Sequence, residues 1–321
     1  MSLAVSERMN RVMPSATSAV LGLAASLREA GRPVISLGAG EPDFDTPDHI
    51  KAAAIQAIHD GETKYTAIDG TSRLKAAIQR KFERDNQLSY APDQILVSVG
   101  AKHTLFNACM GVLSAGDEAI IPAPYWVSYP DMVRVAEGIP VFIDTGIEDG
   151  FKVTPDKLEA AITDKTRLLF LNSPSNPTGS CYTRAELAAL GEVLLKHPGV
   201  VVLADDIYEH IHWANEPFCS IATACPGLYD QVVTINGVSK CYAMTGWRVG
   251  YAGGPREVIK AMKTIQSQIT SNPCSISQAA AAAALDGDQS CMQPMIRAYK
   301  ERSDYVVRAL NEIPGFECRE G

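Results

Sequence analysis

Lys240 and Arg248 lie eight residues apart in the segment Asn236 to Tyr251, directly after an apolar run, Val232 to Ile235. A lysine on a packed loop in apolar surroundings tends to lose its proton, and becomes an amine nucleophile that condenses with carbonyls. Arg248 offers a planar cation whose fork of N–H groups suits a phosphate. An imine-forming amine beside a phosphate binder points to pyridoxal 5′-phosphate.

Further stretches fit the same chemistry. Gly100-Ala101-Lys102 follows an apolar run and opens a helical pattern, so its backbone N–H groups and the helix dipole make an anion site. Asp205 stands where the run Val200 to Ala204 ends, with Tyr208 three residues later. A buried carboxylate there can pair with a pyridinium nitrogen and keep it protonated, which strengthens the ring as an electron sink. Tyr208 and Asn176 suit the ring's phenolic oxygen, and Trp126 suits its other face. Asn172 to Gly179 is a long turn at a strand end, and Asn176-Pro177 and Ala123-Pro124 are candidate cis bonds. Each of these features alone has an ordinary reading: a solvated lysine, a loop carboxylate pair, a plain turn, core aromatics. Their joint placement at strand–loop junctions is what decides.

Other chemistries fit less well. Gly38-Ala-Gly-Glu-Pro-Asp43 begins like a dinucleotide fingerprint, but it lacks the third glycine, and Pro42 and Pro47 block the required helix. His210-Ile-His212 has no third ligand cluster, so no metal is expected. There is neither a P-loop nor a Gly-x-Ser-x-Gly elbow.

These residues need a scaffold. From about residue 90, seven short apolar runs (Gln94–Val99, Glu118–Ile121, Pro140–Ile143, Arg167–Leu171, Val200–Ala204, Val232–Ile235 and Arg248–Ala252) alternate with helical patterns such as Lys102–Leu113, Tyr129–Ala136, Thr183–Lys196 and Pro255–Gln268. That alternation predicts an α/β fold with a mostly parallel sheet covered on both faces and ligands at the carboxyl ends of its strands. Ser15 to Leu27 predicts one amphipathic helix, followed by a short strand, Val34 to Leu37. Gln289 to Asn311 predicts a long helix stopped by Pro314-Gly315. The two chain ends are expected to pair as a smaller domain, giving residues 1–45 and 289–321 to it and 46–288 to a large domain.

The 321 residues suffice for such a core, and the formal charge of −8 disfavours nucleic acid and anionic membrane as partners. No apolar run reaches the ~20 residues of a spanning helix, and Met1 to Arg8 lacks a secretory signal. The eight cysteines form no Cys-x-x-Cys pair, so reduced thiols and a cytoplasmic location are expected.

At this level of detail the chain resembles the class I/II aminotransferases, enzymes of pyridoxal phosphate fold-type I, and in particular the bacterial-type aspartate aminotransferases. The resemblance runs from Met13 to the end. It is carried by Leu37-Gly-Ala-Gly-Glu-Pro-Asp-Phe44, Lys64-Tyr-Thr-Ala-Ile-Asp-Gly70, Pro124-Tyr-Trp-Val-Ser-Tyr129, Asn172 to Gly179, Ala204-Asp-Asp-Ile-Tyr208 and Ser239 to Gly250. It implies the three-layer fold-type I large domain and a ping-pong amino-group transfer, with Lys240 carrying the cofactor and moving the proton. It further implies Asp205 on the ring nitrogen, Tyr208 and Asn176 on the ring oxygen, and Gly100, Ala101, Lys102, Ser239 and Arg248 around the phosphate. Tyr65 would reach the phosphate of a neighbouring subunit, so a homodimer with shared sites is expected. Gly40, Trp126 and Asn176 would contact substrate. Ser15, Thr17 and Lys102 would receive a distal carboxylate, favouring aspartate and glutamate, with an aminotransferase of another amino acid, aromatic or prephenate, as the alternative on the same fold. A lyase on the same fold, and a cofactor-binding module of a regulator, are the rival readings.

Two departures stand out. Gly237 occupies a place where the family often has a phosphate-binding serine. No residue matches the family's arginine for the substrate α-carboxylate; with Met1-Ser-Leu and Glu320-Gly321 resembling cloning scars, a chain cut short of its natural end is expected.

Overall fold

The computed structural model describes residues 3–38 and 40–320. Met1, Ser2 and Gly321 of the two ends, and Ala39 of the Gly38–Asp43 stretch, lie outside the described residues. In chain order the helices are α1 (Ala16–Glu29), α2 (Asp48–His59), α3 (Ser72–Lys81), α4 (Ala101–Val112), α5 (Tyr129–Val135), α6 (Pro155–Ala161), α7 (Arg184–Leu194), α8 (Ile221–Ala224), α9 (Arg256–Ile269), α10 (Ser275–Asp286) and α11 (Gln293–Asn311). The strands are β1 (Ile95–Ser98), β2 (Glu118–Ala123), β3 (Ile139–Asp144), β4 (Thr166–Asn172), β5 (Val201–Asp205), β6 (Val232–Gly237) and β7 (Gly250–Gly253).

The seven strands form one sheet in the order β1-β7-β6-β5-β4-β2-β3. Only β7 runs against its neighbours β1 and β6; the pairs from β6 to β3 are parallel. Buried strands alternate their side chains between two cores, as a sheet covered on both faces requires. Ile95 and Val97 of β1 join the core under α2, α3, α7 and α10, while Leu96 joins the one under α4, α5 and α9. The alanines of α10 let it lie close against α2 and α3: Ala279 to Ala282 and Ala284 are all buried.

The direction of β7 matters for the site. The carboxyl ends of β1, β2, β4, β5 and β6 share one edge, and the single reversed strand starts at that edge. Arg248, just before β7, is thereby returned to the place where β6 released Lys240.

One predicted element is absent. Val34 to Leu37 forms no strand; Ile35 and Leu37 are more than nine-tenths exposed. The apolar run has no neighbouring strand to satisfy its backbone, and apolarity alone does not make a ladder. The long C-terminal helix begins later than predicted, because Gln289–Met292 is a 3₁₀ turn and Pro294 sits in the first turn of α11, where its missing N–H costs nothing.

The chain ends touch each other through Arg302, which grips both carboxylate oxygens of Asp43 at 2.8 and 2.9 Å, and through an edge-on contact of Phe44 with Tyr299. The N-terminal segment also docks on α5 and the turn after it: Met13 N donates to Asp131 Oδ1, and Arg11 Nη2 lies 3.2 Å from Glu137 Oε1. Among the described residues no helix is long and apolar enough to cross a membrane, and all eight cysteines are free thiols.

Candidate active site

Lys240 is half-buried on the loop between β6 and β7, and its Nζ donates to the backbone oxygen of Gly40 at 2.7 Å. Burial pulls its ammonium below the ordinary lysine value. Arg248 adds to that fall by like-charge repulsion, while Glu41 and Asp205 oppose it. The Tyr208 ring lies 5.8 Å from Nζ. The sequence-predicted trio of Lys240, Asp205 and Arg248 is therefore one electrostatic neighbourhood.

Asp205 ends β5 and is buried. Tyr129 Oη donates to its Oδ2 at 2.6 Å, whereas Oδ1 is buried without a hydrogen-bond partner among the described residues. Burial pushes the carboxyl up to about 6; the bond from Tyr129, the backbone N–H of Ile207 and the charge on Lys240 hold it from rising further. An orphaned buried carboxylate oxygen is costly unless a donor arrives. The neighbouring strand supports this residue as well, since Asn172 Nδ2 donates to the Asp205 carbonyl at 2.7 Å.

Asn176 and Tyr208 meet, with Nδ2 donating to Oη at 3.4 Å, and the Asn176 backbone is fixed by its N–H to Asn172 Oδ1 at 2.7 Å. Burial, then the charge on Asp205, pushes the Tyr208 phenol up to about 12, so it stays a donor. Both proposed cis bonds are cis, and Ser173-Pro174 is a third.

Gly100 opens α4 at φ 86°, a conformation that side chains rarely adopt. A Cβ there would lie 2.4 Å from Arg248 Nη2. The glycine therefore lets the guanidinium lie against the first turn of α4, where the N–H groups of Ala101 and Lys102 have no partner within the helix. Arg248 is held by its own bond to the Thr245 carbonyl at 2.9 Å. Lys102 Nζ stands 5.3 Å from the Trp126 ring, and Trp126 packs edge-on against Tyr129. Ser239 is buried beside this cluster, and its carbonyl accepts from Met244 N. At Gly237 a Cβ would meet the Val249 carbonyl at 3.0 Å, so close strand packing favours glycine over the family's serine.

Three expected residues stand apart. Ser15 caps α1, its oxygen accepting from Ser18 N, and Thr17 makes no side-chain hydrogen bond among the described residues. Tyr65 is 94% exposed.

Tyr129 is the residue that sequence reasoning missed. Its signal was a tyrosine three positions after Trp126, where a turn closed by Tyr129 N on the Trp126 carbonyl at 3.0 Å leads into α5. Tyr129→Phe is expected to raise the Asp205 pKa, because the bond it removes stabilises the carboxylate. The acidic limb of the pH–rate profile should move upward, and kcat/KM should fall about tenfold to a hundredfold, the worth of one hydrogen bond to a charged group. An unmoved acidic limb contradicts this role.

The family profile described as "Aminotransferase class I and II" matches residues 32–321. The chain is 58% identical over 314 residues to the aspartate/prephenate aminotransferase of Nitrosomonas europaea, covering 98% of this chain and 79% of that one. The crystal structure of aspartate aminotransferase from Rhizobium meliloti superposes with a TM-score of 0.96 at 53% identity, over 99% of this chain and 80% of the other. Aspartate aminotransferase from Thermus thermophilus with maleate gives 0.91 at 42% identity, over 97% and 81%. The chain belongs to the class I and II aminotransferase family and is an aminotransferase.

Proposed function

We propose that this aminotransferase uses pyridoxal 5′-phosphate to move the amino group of an acidic L-amino acid, aspartate or glutamate, to a 2-oxo acid. The observation that carries the cofactor is the buried, partnerless Oδ1 of Asp205, an acceptor waiting for a donor such as a pyridine N–H. The residues present fit the group. Gly100, Ala101, Lys102, Ser239 and Arg248 would hold its phosphate, Asp205 its ring nitrogen, Asn176 and Tyr208 its ring oxygen, Trp126 its face, and Lys240 its aldehyde carbon. When bound, it supplies an electron-poor ring that stabilises negative charge at the substrate α-carbon.

The chain's own residues do the rest. With its ammonium weakened by burial, Lys240 Nζ would be able to accept the proton of the substrate α-carbon and to give it up at the cofactor's aldehyde carbon. The Gly40 carbonyl that accepts from Nζ would orient the amine at rest. Tyr129 keeps Asp205 ionised and in place. Tyr208 and Asn176, already joined by a hydrogen bond, would hold the ring oxygen between them.

For the substrate, the relative crystallised with maleate, a dicarboxylate, supports an acidic side chain. Ser15, Thr17 and Lys102 are the groups we assign to the distal carboxylate, and Gly40, Trp126 and Asn176 to the rest of the substrate. Tyr65, projecting from a loop fixed by Gln266 Nε2 to the Ile68 carbonyl and Gln278 Nε2 to Thr66 Oγ1, would serve the phosphate of a second copy. The exposed Val20, Leu23, Ile35 and Leu37 would be covered by that copy, and sedimentation that shows only monomers would refute the dimer. The same reading assigns 46–288 to a large cofactor-binding domain and 1–45 with 289–321 to a small one; the Asp43–Arg302 pair supports it. We place the enzyme in the cytoplasm, in keeping with its free thiols.

The test is a panel of amino donors with 2-oxoglutarate, and of acceptors including prephenate with aspartate. Aspartate should give oxaloacetate and glutamate. Pyruvate and ammonia would instead mark a lyase, and a preference for aromatic donors would overturn the acidic assignment.

A further inference from the structure

The turn after β5 has two sides. Asp205 and Tyr208 act on the Lys240 site, while Glu209 and His210 reach the other way, into charges supplied from the end of α3. That helix does not finish regularly. After Lys81 it passes into a π-helical turn, Phe82–Asn86, closed by Gln87 at φ 57°. Such wide turns are rare and concentrate at functional sites.

The π turn aims its side chains at Glu209. Lys81 Nζ donates to Asn86 Oδ1 at 2.6 Å and pairs with Glu209 Oε1, and Asn86 Nδ2 donates to Glu209 Oε2 at 2.8 Å. His210 Nε2 lies 3.2 Å from Glu209 Oε1 and 3.4 Å from Asp85 Oδ2. Arg84 grips Asp85 at 2.6 and 2.9 Å and reaches the Leu285 carbonyl of α10 at 2.9 Å. Lys81 is 1% and Glu209 5% exposed. Asp85, Glu209 and His210 stand close enough to ligate an ion, but Lys81 already takes Glu209, which makes this an ion-pair cluster. Charges this deep are tolerated only when paired and hydrogen-bonded, so Glu209 has one place to sit. Replacing such a pair by apolar side chains is often neutral or stabilising, so stability alone does not account for it.

We propose that Lys81 and Asn86 are positioning residues for transamination: the π turn clamps Glu209 and so fixes the Asp205–Glu209 turn that presents Asp205 and Tyr208 to the cofactor. The first half of the turn is tied to the sheet, by Asp206 N to the Ile235 carbonyl at 2.9 Å and by Asn172 Nδ2 and Asn236 Nδ2 to the Asp205 and Asp206 carbonyls at 2.7 and 3.2 Å. Its second half, which carries Tyr208, has the bonds of Glu209 N to the Asp206 carbonyl at 3.0 Å and Ile211 N to the Tyr208 carbonyl at 2.8 Å, and there the clamp on Glu209 adds the side-chain anchor. This rests on the reading of Asp205 and Tyr208 as cofactor contacts.

The double variant Lys81→Met/Glu209→Leu removes both charges together and leaves neither ion alone. The cofactor-free protein should keep its unfolding midpoint, while amide exchange at positions 209 and 211 quickens by about tenfold or more. With pyridoxal phosphate, kcat should fall at least about tenfold while KM stays within about twofold, the split expected for lost alignment. Wild-type protection at those amides, or wild-type kcat, overturns the proposal. If that variant does not fold cooperatively, Asn86→Ala keeps the ion pair and faces the same two measurements, with effects of about threefold expected and wild-type values overturning it. Should the wild-type chain take up no pyridoxal phosphate, the functional reading fails, and the exchange measurement, made without cofactor, decides the clamp alone.

Discussion

Lys240→Ala is expected to lower turnover by at least ~10²–10⁴-fold, the usual worth of a placed proton carrier, and Lys240→Arg is expected to do no better. The comparison isolates the property that matters. Arginine keeps the cation and much of the length, so it preserves any purely electrostatic role beside Asp205 and Glu41. However, a guanidinium cannot give up its proton near neutral pH and offers no free amine. Lysine can, because burial and Arg248 have already weakened its hold on the proton. Borohydride reduction of the wild-type protein loaded with pyridoxal phosphate should add cofactor mass to the peptide containing Lys240 and to no other. Near-normal turnover in Lys240→Arg, or mass on a different lysine, would remove Lys240 from the centre of the site.

How much of this was legible beforehand depended on the range of the interaction. All seven strands were readable as short apolar runs bounded by turns, a local signal that burial on both faces produces in the inner strands, while the edge strand β3 carries the same run with Ile139 and Phe142 exposed. The same signal misled at Val34 to Leu37, where the apolar residues stay exposed and no strand lies alongside. Of the site, the chain segments were legible because each reactive residue sits at a strand end, as Asp205 does on β5 and Gly100 after β1. The contacts between segments were not. Tyr129 and Asp205 are 76 residues apart, and Lys240 and Gly40 are 200 apart, and nothing in either local pattern encodes the meeting. The Lys81–Glu209 pair was less visible still, because it depends on a helix opening into a π turn, a distortion that tertiary pairing imposes on a sequence that reads as ordinary helix.

Asp205→Asn should separate function from stability in opposite directions. Turnover should fall by about a hundredfold or more, since a neutral amide cannot hold the ring nitrogen protonated and the electron sink weakens. The cofactor-free protein should respond otherwise. Burial raises the folded-state Asp205 pKa to about 6 from an ordinary 3.8, so the folded state prefers this side chain protonated. The stability tied to that proton is fully present below about pH 4 and is lost as pH rises through about 6. The variant has no such group, so relative to it the wild type should lose roughly 2–3 kcal/mol between about pH 4 and 7, at ~1.36 kcal/mol per pKa unit. Any fixed difference from the change in hydrogen bonding shifts both ends of that window equally and leaves the slope intact. Urea unfolding of both proteins across this range measures it. Parallel curves would mean that Asp205 is ionised without cost in the empty protein and that its lone oxygen is solvated. Adding pyridoxal phosphate should then reverse the slope in the wild type only, because a partner for Oδ1 stabilises the carboxylate that burial alone disfavours.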